Sequence, residues 1–245
     1  MRALYHFGKY LLLLRSFFKS PERLVVYWDL LLRESAEIGI GSLIIVVLIS
    51  IFLGAVTTIQ TSYQLVSALI DPSIIGAIVA NTSLLELAPT ITSLVLAGTV
   101  GSRIASQLGT MRINEEIDAL EVMGINSAAY LIMPKIIGSL FMFPFLVIIA
   151  AFLQNFGGLV AGHLTGEVAA ADFILGARDY FDPFQVEFMM YKSLTFGFII
   201  SSIASYQGFY VRGGSLEVGQ AGTRAVVYSC IMILAFDYIL AQILL

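Results

Sequence analysis

Charged side chains are scarce in this chain, so each one that falls within an apolar run is informative. Glu86 stands at the head of the apolar stretch that begins at Ser83, Arg103 stands near its other end, and Asp237 lies inside the last apolar run. An acidic residue at the centre of a bilayer costs roughly 2.5 to 3.5 kcal/mol on insertion scales, so such groups face protein or a cavity rather than lipid. Two readings fit Glu86. Ser83-Leu84-Leu85-Glu86 has the spacing of a capping box that closes the start of a helix, and the same carboxylate suits the mouth of a lipid-facing cavity. Asp237 is expected to face protein or a partner chain, and Arg103 to snorkel toward the interface. Covalent chemistry has little to work with. Two histidines, His6 and His163, cannot by themselves make a metal site, the single cysteine Cys230 excludes an internal disulfide, and no nucleophile and base pair is visible. No G-x-x-x-x-G-K-[ST] run occurs, so ATP is not bound here through a Walker motif, and any ATP-driven work falls to a separate subunit.

The densest acidic cluster follows that stretch: Asn114-Glu115-Glu116-Ile117-Asp118-Ala119-Leu120-Glu121-Val122-Met123-Gly124. Its spacing predicts a short helix over 114–124. Asn114 is a good N-cap, Glu115 and Glu116 lie where the helix dipole favours anions, and Gly124 can close the C-terminus in the left-handed conformation. Ile113, Ile117, Leu120 and Met123 recur at helical spacing and make an apolar face, opposite Glu115, Asp118 and Glu121. The pattern fits both a solvated loop helix packed on its own protein and a helix that docks on a partner.

What must position these residues is a membrane domain. Of 245 residues 58% are hydrophobic and only 12% charged, with a mean hydropathy of +0.91. The net charge of −4 does not mark a nucleic-acid binder. Crossing the hydrocarbon takes about 20 residues, and uncharged runs place five spans at 38–70, 83–108, 136–162, 193–211 and 225–245. Pro144 is expected to kink or locally unwind the third. Lysine and arginine set the orientation. Six lie before the first span, three around the acidic helix (Arg103, Arg112, Lys135) and two in the loop before the last span (Arg212, Arg224), eleven on one side. The other side has two, Arg178 and Lys192 in the loop after the third span, which places the N-terminus and the acidic helix in the cytoplasm and the C-terminus outside.

Residues 1–34 are not a cleavable signal, because the run Leu11-Leu12-Leu13-Leu14 is too short and basic residues continue past it. They read as interfacial helices, with Tyr5, Phe7, Tyr10, Phe17 and Phe18 as apolar mass and Lys9, Arg15 and Lys19 reaching headgroups, or as a plain anchor. Ser20-Pro21-Glu22 resembles an N-cap with proline at the first helical position, starting a second helix that leads toward the first span. Ala97, Gly101, Ala105 and Gly109 fall every fourth residue, as do Gly158, Gly162 and Gly166, so these faces suit close helix approach, within the chain or between two copies. The expected fold is an all-α integral membrane protein: N-terminal interfacial amphipathic helices over 1–34, then a membrane domain over 35–245 with five transmembrane helices and a short cytoplasmic helix at 114–124.

The run Glu86-Leu87-Ala88-Pro89, then Leu96-Ala97-Gly98, then Gly109-Thr110-Met111-Arg112, then Glu116-Ile117-Asp118-Ala119-Leu120-Glu121-Val122-Met123-Gly124 closely resembles the signature of the MlaE (YrbE-type) permease family. The resemblance implies the membrane subunit of an ABC transporter that moves phospholipids or related lipids between membranes. It further implies a homodimer in a bacterial inner membrane, two cytoplasmic ABC ATPases and a periplasmic MCE-domain lipid-binding protein. No cofactor is expected in this chain, since ATP and Mg would be bound by the partner ATPase. By the same resemblance the short cytoplasmic helix at 114–124 is a coupling helix. Asn114, Glu115, Glu116, Asp118, Leu120, Glu121 and Met123 would then belong to the helix that contacts the ATPase, and Gln60, Tyr63, Glu86 and Leu87 to an outward-facing lipid pocket. Many relatives carry a basic residue after the Ala-Gly of the second span, where this chain has Thr99, and a small residue where it has Arg103.

The alternatives are an ion-coupled secondary transporter using Glu86 and Asp237, and a membrane lipid-modifying enzyme. Cysteines introduced near Asn114 and Ser215 are expected to react only from the cytoplasm and ones near Asp172 only from the opposite side. Labelling of positions 114 and 172 from the same side removes the five-span topology.

Overall fold

The computed structural model describes residues 2–16, 24–65 and 71–244. It is helical, and five of its helices are long and apolar enough to cross a membrane. The helices are α1 (Arg2–Ser16), α2 (Leu24–Gln64), α3 (Ser73–Ile113), α4 (Glu116–Val122), α5 (Ser127–Thr165), α6 (Ala170–Asp179), α7 (Pro183–Phe209) and α8 (Ser215–Leu244). No strand occurs among the described residues.

The chain divides into two compact units, each built from parts of the same long helices. The first comprises residues up to Gly41, Leu96–Met142 and Phe196–Ala235; the second comprises Ser42–Val95, Phe143–Thr195 and the residues from Phe236 onward.

In the first unit, backbone approach is set by small residues. Gly208 faces the Ala105 carbonyl, where an added Cβ would lie 2.5 Å from the oxygen, Gly101 meets Ile200, and Gly109 meets Val211 and Val218. The Ala97, Gly101, Ala105, Gly109 stripe is therefore buried by this chain's own helices. Arg103 passes over Gly41, and its Nη1 donates to the Glu37 carbonyl at 2.8 Å. Lys135, counted above as a cytoplasmic charge, is buried, pairs with Glu34 and donates to Gln107 Oε1 at 2.7 Å.

In the second unit the same device is used more tightly. An added Cβ would lie 1.8 Å from the Gln154 carbonyl oxygen at Gly54, 2.3 Å from the Ile51 oxygen at Gly157 and 1.7 Å from the Ser73 oxygen at Gly176. The last of these seats α6 against the first turns of α3, where Ile75, Val79, Val168 and Phe173 form an apolar cluster.

Several boundaries differ from expectation. The second span starts at Ser73 rather than Ser83. Asp71 Oδ1 accepts the Ser73 N–H at 2.9 Å and Pro72 is already helical, so Asp71-Pro72 launches a helix directly after the charge that bounds the expected first span. That hydrogen bond also holds the Asp71 carboxyl below the usual carboxylate range. Ser83 consequently lies inside a helix and forms no capping box; its Oγ donates to Gln154 Oε1 at 2.7 Å. α5 stays α-helical through Pro144, and the local departure occurs instead in α3, which becomes π-helical over Ser83–Ile91, around Pro89. α2 runs unbroken through 34–35, so the N-terminal segment after Leu24 and the first span are one helix. Phe17, Phe18, Lys19, the Ser20-Pro21-Glu22 helix start, the last residues of the expected first span (66–70) and Leu245 lie outside the described residues, as do the side chains of Phe7 and Arg15.

Backbone oxygens cannot move aside as a flexible side chain can, and forced overpacking costs about 1 to 3 kcal/mol or more. Gly176→Ala is therefore expected to lower the thermal transition of the purified protein by several degrees. Gly98→Ala, where nothing lies within 4 Å of the added carbon, is expected to leave it unchanged or raise it. Equal transitions for the two variants would refute the close-approach account.

Candidate functional site

Among the described residues, Lys192 is the one buried cation of the second unit. It projects from α7 with no solvent exposure, and its Nζ has three acceptors: Asp237 Oδ1 of α8 at 2.7 Å, Glu86 Oε1 of α3 at 3.1 Å and the Leu85 carbonyl at 2.9 Å. An ammonium has three protons, so its hydrogen-bonding capacity is filled. The Phe188 ring lies 4.7 Å from the same nitrogen, one helical turn back on α7. Thr90 closes the cluster, with Oγ1 3.1 Å from both Glu86 Oε2 and Asp237 Oδ1. Its single proton can serve one carboxylate at a time.

Pro89 lies inside this part of α3 and has no N–H to give to the helix. The π-helical stretch around Pro89 carries Leu85, Glu86 and Thr90 together. Asp237 faces protein, as expected. Lys192 was assigned above to an outside loop, with the fourth span starting at Ser193; instead α7 begins at Pro183 and Lys192 sits well inside it. A lysine in an apolar helix had a readable signal: the chain contains two intramembrane carboxylates and needs a counter-charge.

Glu86 is half-exposed. Gln60 and Tyr63 are exposed on α2, Tyr63 at 82%, and no hydrogen bond among the described residues joins either to Glu86; Leu87 is partly buried. The second unit also has an apolar hollow of about 450 Å³, lined by Leu84, Phe152, Phe156, Leu159 and Phe173, with Asn155 and Arg178 as its polar groups. The sequence carries no signal for this hollow, since its phenylalanines lie in ordinary apolar stretches.

In the first unit the acidic segment forms a helix, but Asn114 is not its N-cap. Asn114 ends α3, and Glu115 takes the left-handed conformation (φ 63°) that turns the chain into α4. The far end is as expected: Gly124 has φ 80°, its N–H bonds the Glu121 carbonyl and Ile125 N–H bonds the Leu120 carbonyl, the paired closure of a Schellman motif. Arg112 Nη1 bonds Asp118 Oδ1 at 2.6 Å, Asn114 Nδ2 reaches Glu116 Oε1 at 3.4 Å, and Ser127 Oγ donates to Glu121 Oε1 at 2.8 Å. The expected apolar face is split. Ile117 is buried and Leu120 partly so, whereas Met123, together with Val122 at 89% exposure, projects outward.

A helical domain of five membrane-crossing lengths with a satisfied ion cluster is that of a multi-pass membrane protein. The family model described as Permease MlaE matches residues 31–243, and the chain belongs to the MlaE permease family. A probable ABC transporter permease protein of Rickettsia bellii is 34% identical over 96% of this chain and 91% of its own length. One from Synechocystis is 31% identical over 87% of this chain and 81% of its own. Protein TRIGALACTOSYLDIACYLGLYCEROL 1, chloroplastic, of Arabidopsis thaliana is 32% identical over 89% of this chain and 62% of its own length. The chain is thus a transporter permease rather than an enzyme.

Removing one member of a buried ion pair costs about 3 to 5 kcal/mol, and less where the group reaches solvent. Asp237→Asn and Lys192→Met are expected to destabilise the purified protein strongly, and Glu86→Gln mildly, because Asp237 still neutralises Lys192. A thermal or denaturant transition in which Glu86→Gln is as damaging as Asp237→Asn would contradict this ranking.

Proposed function

We propose that this chain is the membrane subunit of an ABC transporter that moves phospholipids or related lipids between membranes. It works as a homodimer in a bacterial inner membrane, with the N-terminus cytoplasmic and the C-terminus periplasmic, two cytoplasmic ATPases that bind ATP and Mg, and a periplasmic MCE-domain protein that exchanges lipid. The observation that carries the reading is α4: a short helix placed between two membrane-crossing helices, fixed at both ends, with Val122, Met123, Glu115 and Glu116 exposed. A partner groove that takes Val122 and Met123 as anchors would move α4 with its neighbours as one lever. Support for a lipid cargo comes from the apolar hollow of the second unit and from the Arabidopsis relative, whose name is that of a galactolipid.

The cluster of Glu86, Asp237 and Lys192 favours one competing reading, an ion-coupled secondary transporter. Lipid transfer in proteoliposomes with the proton gradient collapsed separates the two. The permease requires ATP and its ATPase, keeps much of its transfer in Glu86→Gln, and needs no gradient; gradient-dependent transfer without ATP would establish the carrier.

Docking is tested on α4 itself. Asp118 is already paired with Arg112, so the informative changes are Glu116→Lys combined with Val122→Asp, and separately Ala119→Pro, which costs a helix interior about 3 kcal/mol. Both are expected to reduce co-purification of the ATPase at least about tenfold, a loss of about 1.4 kcal/mol, while membrane insertion persists. Undiminished co-purification and ATP-driven transfer in both variants would refute the docking role.

A further inference from the structure

The unit that contains α4 holds a cavity of about 620 Å³ lined by α1, the end of α7 and the start of α8. Three of its lining side chains are cations, Lys9, Arg212 and Arg224, against one carboxylate, Glu217. That carboxylate is occupied by the backbone, since its Oε2 accepts the Gly214 N–H at 2.8 Å. Among the described residues, none of the three cations is ion-paired. Arg224 only reaches back to the Gln220 carbonyl and Oε1, both at 3.3 Å. Lys9 Nζ lies 3.5 Å over the Tyr210 ring. Its ammonium titrates below the usual lysine range, first because it is desolvated and then because Arg212 and Arg112 repel it. Tyr206 and Tyr210, whose rings meet edge to face at 5.2 Å, form an aromatic wall and add hydroxyl groups to the lining.

A concave site with unneutralised cations and phenol donors calls for a multiply accepting anion. The surroundings indicate how that anion arrives. Tyr228 lines the cavity, and from it Ile231 and Leu234 continue along α8 as exposed apolar side chains on a membrane-crossing helix. A free anion needs no such rail, whereas an acyl chain does. We propose that this cavity binds the phosphate of an anionic lipid headgroup, with Arg212 and Arg224 as its main ligands, Lys9 and the tyrosines around it, and the acyl chains laid along α8. This lipid is a bound component of the permease rather than its cargo, so the site is independent of the transport reading. Aromatic and basic side chains at the end of a spanning helix suit a headgroup at that depth.

The test uses the full chain purified in mild detergent and native mass spectrometry after incubation with phosphatidylglycerol, phosphatidylcholine or diacylglycerol, with inorganic phosphate in a separate arm. Phosphatidylglycerol is expected to be retained at least tenfold over diacylglycerol, with phosphatidylcholine between them. Arg212→Gln combined with Arg224→Gln should reduce that retention about tenfold without changing the thermal transition. Should the double variant fail to fold, Lys9→Gln and the fall of wild-type phosphatidylglycerol retention with rising salt carry the same test. Equal retention of all three lipids, or retention untouched by the substitutions, overturns the proposal. Inorganic phosphate bound as tightly as phosphatidylglycerol would assign the site to a free anion, and loss of a co-purifying acidic protein with lipid retention intact would assign it to a protein partner; either overturns the lipid assignment.

Discussion

A lysine ammonium enclosed among apolar helices needs an acceptor for each of its protons and a counter-charge for itself, and the second unit is organised around meeting both demands for Lys192. Asp237 would not be sustained in an apolar helix without the lysine, nor the lysine without a carboxylate partner. The third acceptor is a backbone carbonyl, which a regular α-helix keeps for itself. Here the Leu85 carbonyl, in the π-helical stretch around Pro89, accepts from Lys192 as well. The ion cluster thus specifies which turns of α3, α7 and α8 meet, a precision that apolar side chains in a bilayer cannot provide, because lipid tails are as apolar as leucine.

Glycine supplies the complementary constraint. Where Gly54, Gly157 and Gly176 bring backbones into contact, packing is close because a side chain is missing. The polar cluster fixes register and the glycines fix distance. In the first unit, small residues at 101, 109 and 208 take the same role, and Lys135, held by Glu34 and Gln107, is the corresponding buried cation.

Most of this architecture was legible in the sequence wherever the signal was length or local geometry. Five apolar runs gave five spans, and Gly124 closes α4 in the conformation its residue type suggested. The differences share a cause: in a sequence, a charge suggests the end of a span. Asp71 bounds the expected first span, yet it caps a helix; Lys192 falls in an expected loop, yet Asp237 and Glu86 make it a core residue. A single sequence displays charges but not the pairings that allow them inside, and Glu86 and Lys192 stand 106 positions apart. At Asn114 the miss was smaller. Its type suits an N-cap, but the turn places a left-handed Glu115 between it and the helix, leaving Asn114 to end the preceding one. The expected pocket residues Gln60 and Tyr63 were implied by family resemblance, and their exposure on α2 leaves them available to a second chain rather than joined to Glu86.

The order in which the ion cluster's members are synthesised gives it a further role. Glu86 and the Leu85 carbonyl are made first, Lys192 follows about a hundred residues later, and Asp237 arrives with α8, so during biogenesis the lysine enters the membrane with part of its coordination already waiting and part not yet made. Until α8 joins, Lys192 has an unclaimed proton and Thr90 has one carboxylate to serve instead of two. Before the last helix joins, Lys192 is paired with Glu86 alone, and Asp237 then completes its set of three acceptors.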